Sequence, residues 1–78
     1  MPTVAQLGPY RFFFYSNEND EPRHVHAQRE AKVAKFWLNP VGLAEAGRFP
    51  RHELGEIERL VRENQMDWIE AWDEYFSS

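Results

Sequence analysis

The strongest constraint in this chain is a change of period. Up to about residue 46 apolar residues alternate with polar ones or gather in short runs between turn formers, and after Gly47 they recur at spacings of three, four and seven. The first pattern is that of strands, whose side chains point to opposite faces in turn, and the second is one face of a helix. Leu54, Ile57, Leu60, Val61, Trp68, Ile69, Trp72, Tyr75 and Phe76 make up most of the helical stripe. Charged residues fill the positions between. Glu53 and Glu56 fall in the first turns, where the helix dipole favours negative charge. The stripe lapses at "RENQ", residues 62–65, so the helix expected over about 51–76 is kinked or broken there.

Ahead of it, "YRFFFYS" (10–16) follows Gly8-Pro9 as a strand follows a turn, and a shorter strand is expected around Thr3 to Leu7. "NENDEP" (17–22) has no apolar residue and reads as a surface loop. "RHVHAQR" (23–29) alternates, "AKVAKFWL" (31–38) follows at hairpin distance, and "VGLAEA" (41–46) is expected to be a last strand. The simplest architecture is α+β: an antiparallel β-meander of three to five strands packed against a long or kinked C-terminal helix. Tyr10, Phe12, Phe14, Val25, Phe36, Leu38, Leu54, Ile57, Val61, Trp68 and Trp72 are its expected core.

At 78 residues the chain makes a single domain, strand-rich over 1–48 and helical over 49–78. A core this small is marginal and needs reinforcement. With no cysteine there is neither a disulfide nor a thiolate metal site nor a thiol nucleophile, so the 15% aromatic content must supply buried area. Residues 1–48 carry six Lys/Arg against five acids, and residues 49–78 carry three against eight, which yields the net −4. That field does not favour a general nucleic-acid binder. The start lacks a basic region followed by an apolar core, so no secretory leader is expected. No run nears the roughly 20 apolar residues of a membrane span. A cytoplasmic protein is the expectation.

The residues that invite chemistry are in "EPRHVHAQRE", where His24 and His26 lie one residue apart. On a strand they project to the same side. As a metal pair, for zinc or another divalent ion, they need further ligands, for which Glu18, Asp20, Glu21 and His52 are the candidates. As a catalytic pair, one histidine acts as base and the other as acid, with Lys35 or Arg29 supplying a cation for a phosphorane; metal-free RNA cleavage needs no more. The third reading requires no chemistry: His24, His26 and Gln28 form the solvated face of a strand packed on a helix, or lie in an interface. The alternation by itself favours that last reading. Trp68 and Trp72, at i and i+4 in the apolar stripe, belong to the core.

"GPYRFFFYSNE", "EPRHVHAQRE", "AKFWLNPVGLA" and "ELGEIERLVRENQMDWIEAWDEYF", in this order, closely resemble the short bacterial proteins of the domain of unknown function 4160 family. Its P-x-H-V-H pattern falls on Pro22, His24, Val25 and His26. Two positions depart from the family: Arg29-Glu30-Ala31 stands where a Gly-containing turn is common, and Pro50 where many members have serine before the helix. The resemblance implies no settled activity. It does imply a genetic neighbour of the domain of unknown function 2442 family, in pairs suggested to be toxin–antitoxin modules. The expected partner is therefore that small protein or a second copy of the chain, bound at a sheet edge or along residues 57–76. A small ribonuclease or metal-dependent hydrolase using the histidine pair is the alternative.

Overall fold

Two-residue turns set the register of most of the sheet. In the computed structural model, which describes residues 3–18 and 20–77, β1 (Thr3–Leu7) and β2 (Tyr10–Phe13) are joined by Gly8-Pro9. β3 (His24–Arg29) and β4 (Lys32–Leu38) are joined by Glu30-Ala31, and β4 passes to β5 (Val41–Glu45) through Asn39 and a cis Pro40. The five strands form one antiparallel sheet in sequence order. Gly8 takes the positive φ of 59° that begins such a turn at no steric cost. Glu30 takes φ 57° without being glycine. The first half is thus the expected meander, except that β2 stops at Phe13, short of the expected residue 16.

The turn out of the sheet is tighter. Gly47 and Arg48 both have positive φ, and a Cβ at position 47 would lie 1.7 Å from the Val33 carbonyl oxygen. The chain then enters α1 (Arg51–Glu63) with Pro50 at the cap position and no side-chain hydrogen bond there. Proline suits a helix entrance but offers no hydroxyl to the first amides. At Asn64 the φ of −114° and ψ of 13° break the helix, and α2 (Gln65–Phe76) begins at the next residue. The break falls within the expected "RENQ". Asn64 Nδ2 donates to the Leu60 carbonyl at 2.8 Å, and Gln65 Nε2 donates to the Leu38 carbonyl at 2.7 Å, which ties the joint to the sheet.

The core lies between one sheet face and the two helices. Tyr10, Phe12, Phe14, Val25, Ala27, Ala34, Phe36 and Leu38 meet Phe49, Ile57, Val61, Trp68 and Trp72 there. Trp68 packs on Phe12 with ring centroids 4.6 Å apart, and Trp72 lies 5.3 Å from Phe14. Of the expected core only Leu54 is half-exposed. The radius of gyration, 11.5 Å, equals the roughly 11.5 Å expected for a compact chain of this length. No helix among the described residues is long and apolar enough to cross a membrane.

Candidate functional site

One connection in the sheet is long. Residues 14–23 join β2 to β3, and of them Tyr15, Glu18 and Glu21 reach the sheet face turned away from the helices. Period-two alternation puts His24 and His26 of β3 and Lys35 and Trp37 of β4 on that face, with His26 opposite Lys35 and His24 opposite Trp37. Phe13 of β2 shares it, buried but outside the helix-side core.

The solvated-face reading of the histidines therefore does not hold. His24 is 0% and His26 6% exposed. The cover is local: Phe13 stacks on His26 at 5.4 Å, and Tyr15 meets its ring edge-on at 4.5 Å. His24 lies 5.9 Å from Trp37 and 4.9 Å from Trp72, so it also touches the C-terminal helix.

Burial of two polar rings requires hydrogen-bond partners, and the loop supplies them. Glu18 Oε1 stands 2.7 Å from His24 Nε2 and 2.9 Å from His26 Nε2. His24 Nδ1 is 2.8 Å from the Pro22 carbonyl oxygen. A carbonyl only accepts, so Nδ1 carries a proton and donates it, and Nε2 is left facing the carboxylate. Burial acts to raise the Glu18 carboxyl, but the close contacts with the His24 and His26 rings outweigh it and hold the group below its ordinary 4.5. His26 is lowered from 6.5, first by burial, with the Glu18 hydrogen bond opposing in part.

The remaining candidates divide. Lys35 Nζ bonds Glu21 Oε1 at 2.5 Å and lies 4.9 Å over the Trp37 ring; the Glu21 hydrogen bond is the main cause raising its pKa. Asp20 and His52 are exposed and stand apart from the Glu18, His24 and His26 group. Arg29, weighed as a catalytic cation, points to the helix side instead. It holds Glu53 of α1 bidentately at 2.6 and 2.7 Å, and the Tyr10 hydroxyl meets Glu53 at 2.9 Å and Glu56 at 3.1 Å. Sequence reasoning missed that network, because its members are 24 to 46 positions apart.

The family described as "Domain of unknown function (DUF4160)" matches residues 10–73. The chain belongs to that family. The match takes in β2 to β5, α1 and most of α2, so the histidine pair and the acidic loop both lie inside the DUF4160 domain. No curated protein and no solved structure matches the chain.

A second surface feature lies at the far side of this domain. β5 is an edge strand, and Leu43 pairs with Phe36, which places it on the helix-facing side. Leu43 is nonetheless 44% exposed, because the helices leave a cleft open beside it. Phe36, Phe49 and Leu54 line this cleft with Leu43, and Arg51 and Glu58 supply its charges.

Proposed function

We propose that the chain acts in the cytoplasm as one member of a toxin–antitoxin-like gene pair, by binding a small protein of the domain of unknown function 2442 type. Family membership supports this reading, and the observation that carries it is the open edge of β5 beside the Leu43 cleft. An edge strand presents unpaired backbone donors and acceptors, which a strand of the partner satisfies by adding to the sheet. The cleft then takes one apolar side chain of that strand. The acidic helices favour a basic partner and orient it on approach. A second copy of the chain at the same edge is the homodimeric form of this reading. Co-expression with the adjacent gene product, followed by sizing with light scattering, tests it: a one-to-one complex is expected, and Leu43→Lys weakens it by about tenfold or more. A chain that stays monomeric beside its neighbour at about 50 µM sinks the proposal.

One observation favours a second reading, a small ribonuclease or metal-dependent hydrolase: both Nε2 atoms converge on one carboxylate oxygen, with Lys35 on the same face. In its ribonuclease form His24 and His26 exchange the protons and Lys35 stabilises the anionic transition state, once the loop has moved aside; in its metal-dependent form the same two histidines would be ligands instead. His24→Ala and His26→Ala each abolish growth inhibition or RNA cleavage if this holds. Undiminished activity in the double variant rejects it.

A further inference from the structure

We propose that Glu18, His24 and His26 form a binding site for one divalent ion of the zinc type. The inference is independent of the partner reading. It begins from a proton count at His24. A neutral imidazole carries one proton, and Nδ1 holds it for the Pro22 carbonyl. Nε2 then turns a lone pair on a carboxylate oxygen 2.7 Å away, which is repulsive unless a positive charge lies between them. A second ring proton is one such charge. A metal ion is the other, and the rest of the centre suits it.

The Nδ1–H bond to a backbone carbonyl fixes the ring and aims Nε2, as the outer partners of metal-bound histidines do. His26 brings a second Nε2 to the same point, and one ligand atom from each of the three residues lies within 4.8 Å of the others. Two imidazoles and one carboxylate are the donor set of open zinc sites, in which water takes the fourth position. Two nitrogen donors with a single carboxylate disfavour calcium and magnesium, which take oxygen ligands.

The present distances are those of hydrogen bonds. Ligands about 2.0 Å from a tetrahedral ion stand about 3.3 Å apart, so Glu18 must withdraw by about half an ångström and the two histidine nitrogens, which lie within 4.8 Å of one another, must close toward that separation. Glu18 can, because its side chain is 25% exposed and stands on a loop, and the imidazoles, carried on a central strand, close by rotation about their side-chain bonds. Binding would then lock the loop to β3.

The test is titration of the metal-stripped full chain with Zn²⁺ and Co²⁺. One ion per chain is expected, with Kd of about 1 µM or tighter. The Co²⁺ form should show the intense visible bands of a four-coordinate centre, and Zn²⁺ should raise the Tm. In NMR the rings of His24 and His26 shift on Zn²⁺ addition, and that of His52 does not. Glu18→Gln and His26→Ala weaken binding by about tenfold or more, whereas His52→Ala leaves it unchanged. If His26→Ala fails to fold, the ring shifts of the unaltered chain decide. No saturation below about 100 µM, or binding that follows His52, overturns the site. Persistence of the partner complex in chelator separates this result from that of the partner reading.

Discussion

Position 47 has room for a hydrogen and nothing more. The Val33 carbonyl oxygen occupies the place of any Cβ, and the φ of 59° is itself unfavourable to a side chain. Gly47→Ala should therefore lose about 1–3 kcal/mol from backbone strain alone, with displacement of β4 adding to it. Gly55 is the reverse case. It lies inside α1 with nothing within 4 Å of a built Cβ, so Gly55→Ala should stabilise by about 1 kcal/mol through helix propensity. Urea unfolding of the two variants checks both signs, and a neutral Gly47→Ala would mean that the turn relaxes freely. Only part of this was legible beforehand. Gly47 marked the end of the strand region in the sequence, but its close neighbour lies 14 positions away and left no local signal.

At the scale of elements, periodicity located both halves because each half obeys one rule. The helical stripe named Ile57, Val61, Trp68 and Trp72 correctly, and the lapse at "RENQ" marked the break at Asn64. Leu54 departs because the surface above it belongs to the open cleft rather than to the sheet. The histidines show where the rule stops. Alternation shows that His24 and His26 share a face, but says nothing of what covers that face. The cover comes from Phe13 and Tyr15 and from the expected surface loop, whose Glu18 and Glu21 dock on that face through their carboxylates. Contact of α2 with this centre makes a prediction. Trp72 touches Phe14, Phe76 and His24, so Trp72→Ala should cost about 3–5 kcal/mol and disturb the His24 ring resonances as well. Met66, on the same helix but 70% exposed, should change stability by no more than about 0.5 kcal/mol when replaced by Ala. Equal losses from the two would mean that α2 is not docked on the sheet.

Over the whole molecule, the segregation of charge becomes a set of ties between the halves. Arg23 of the sheet region holds Asp73 of α2, and Arg29 holds Glu53 of α1 with Tyr10 donating to the same carboxylate. The pairs are not equal. Arg23 and Asp73 have side chains 43% and 50% exposed and are readily screened, whereas Arg29 and Glu53 are 24% and 13% exposed and keep more of their attraction in salt. The inner network ties stability to pH on both sides. Glu53 is held below its ordinary 4.5, chiefly by the Arg29 hydrogen bonds, so below that value the unfolded chain binds the proton first and stability falls as pH drops. Tyr10 is raised above its ordinary 10, first by burial and then by its bonds to Glu53 and Glu56. Above pH 10 the unfolded chain therefore releases its proton first, and stability falls as pH rises. The network contributes fully between pH 4.5 and 10, but the lowered His26 adds a loss that begins below pH 6.5. A plateau of Tm is therefore expected from about pH 6.5 to 10, with a decline on each side that Glu53 steepens below pH 4.5. Tyr10→Phe should flatten the alkaline decline while leaving most of the acid one, and Glu53→Gln should make the acid decline shallower. Thermal melts of the three proteins in matched buffers measure this. An alkaline limb unchanged in Tyr10→Phe would show that another group drives it, and that the Tyr10–Glu53–Arg29 network does not join sheet to helix as the distances imply.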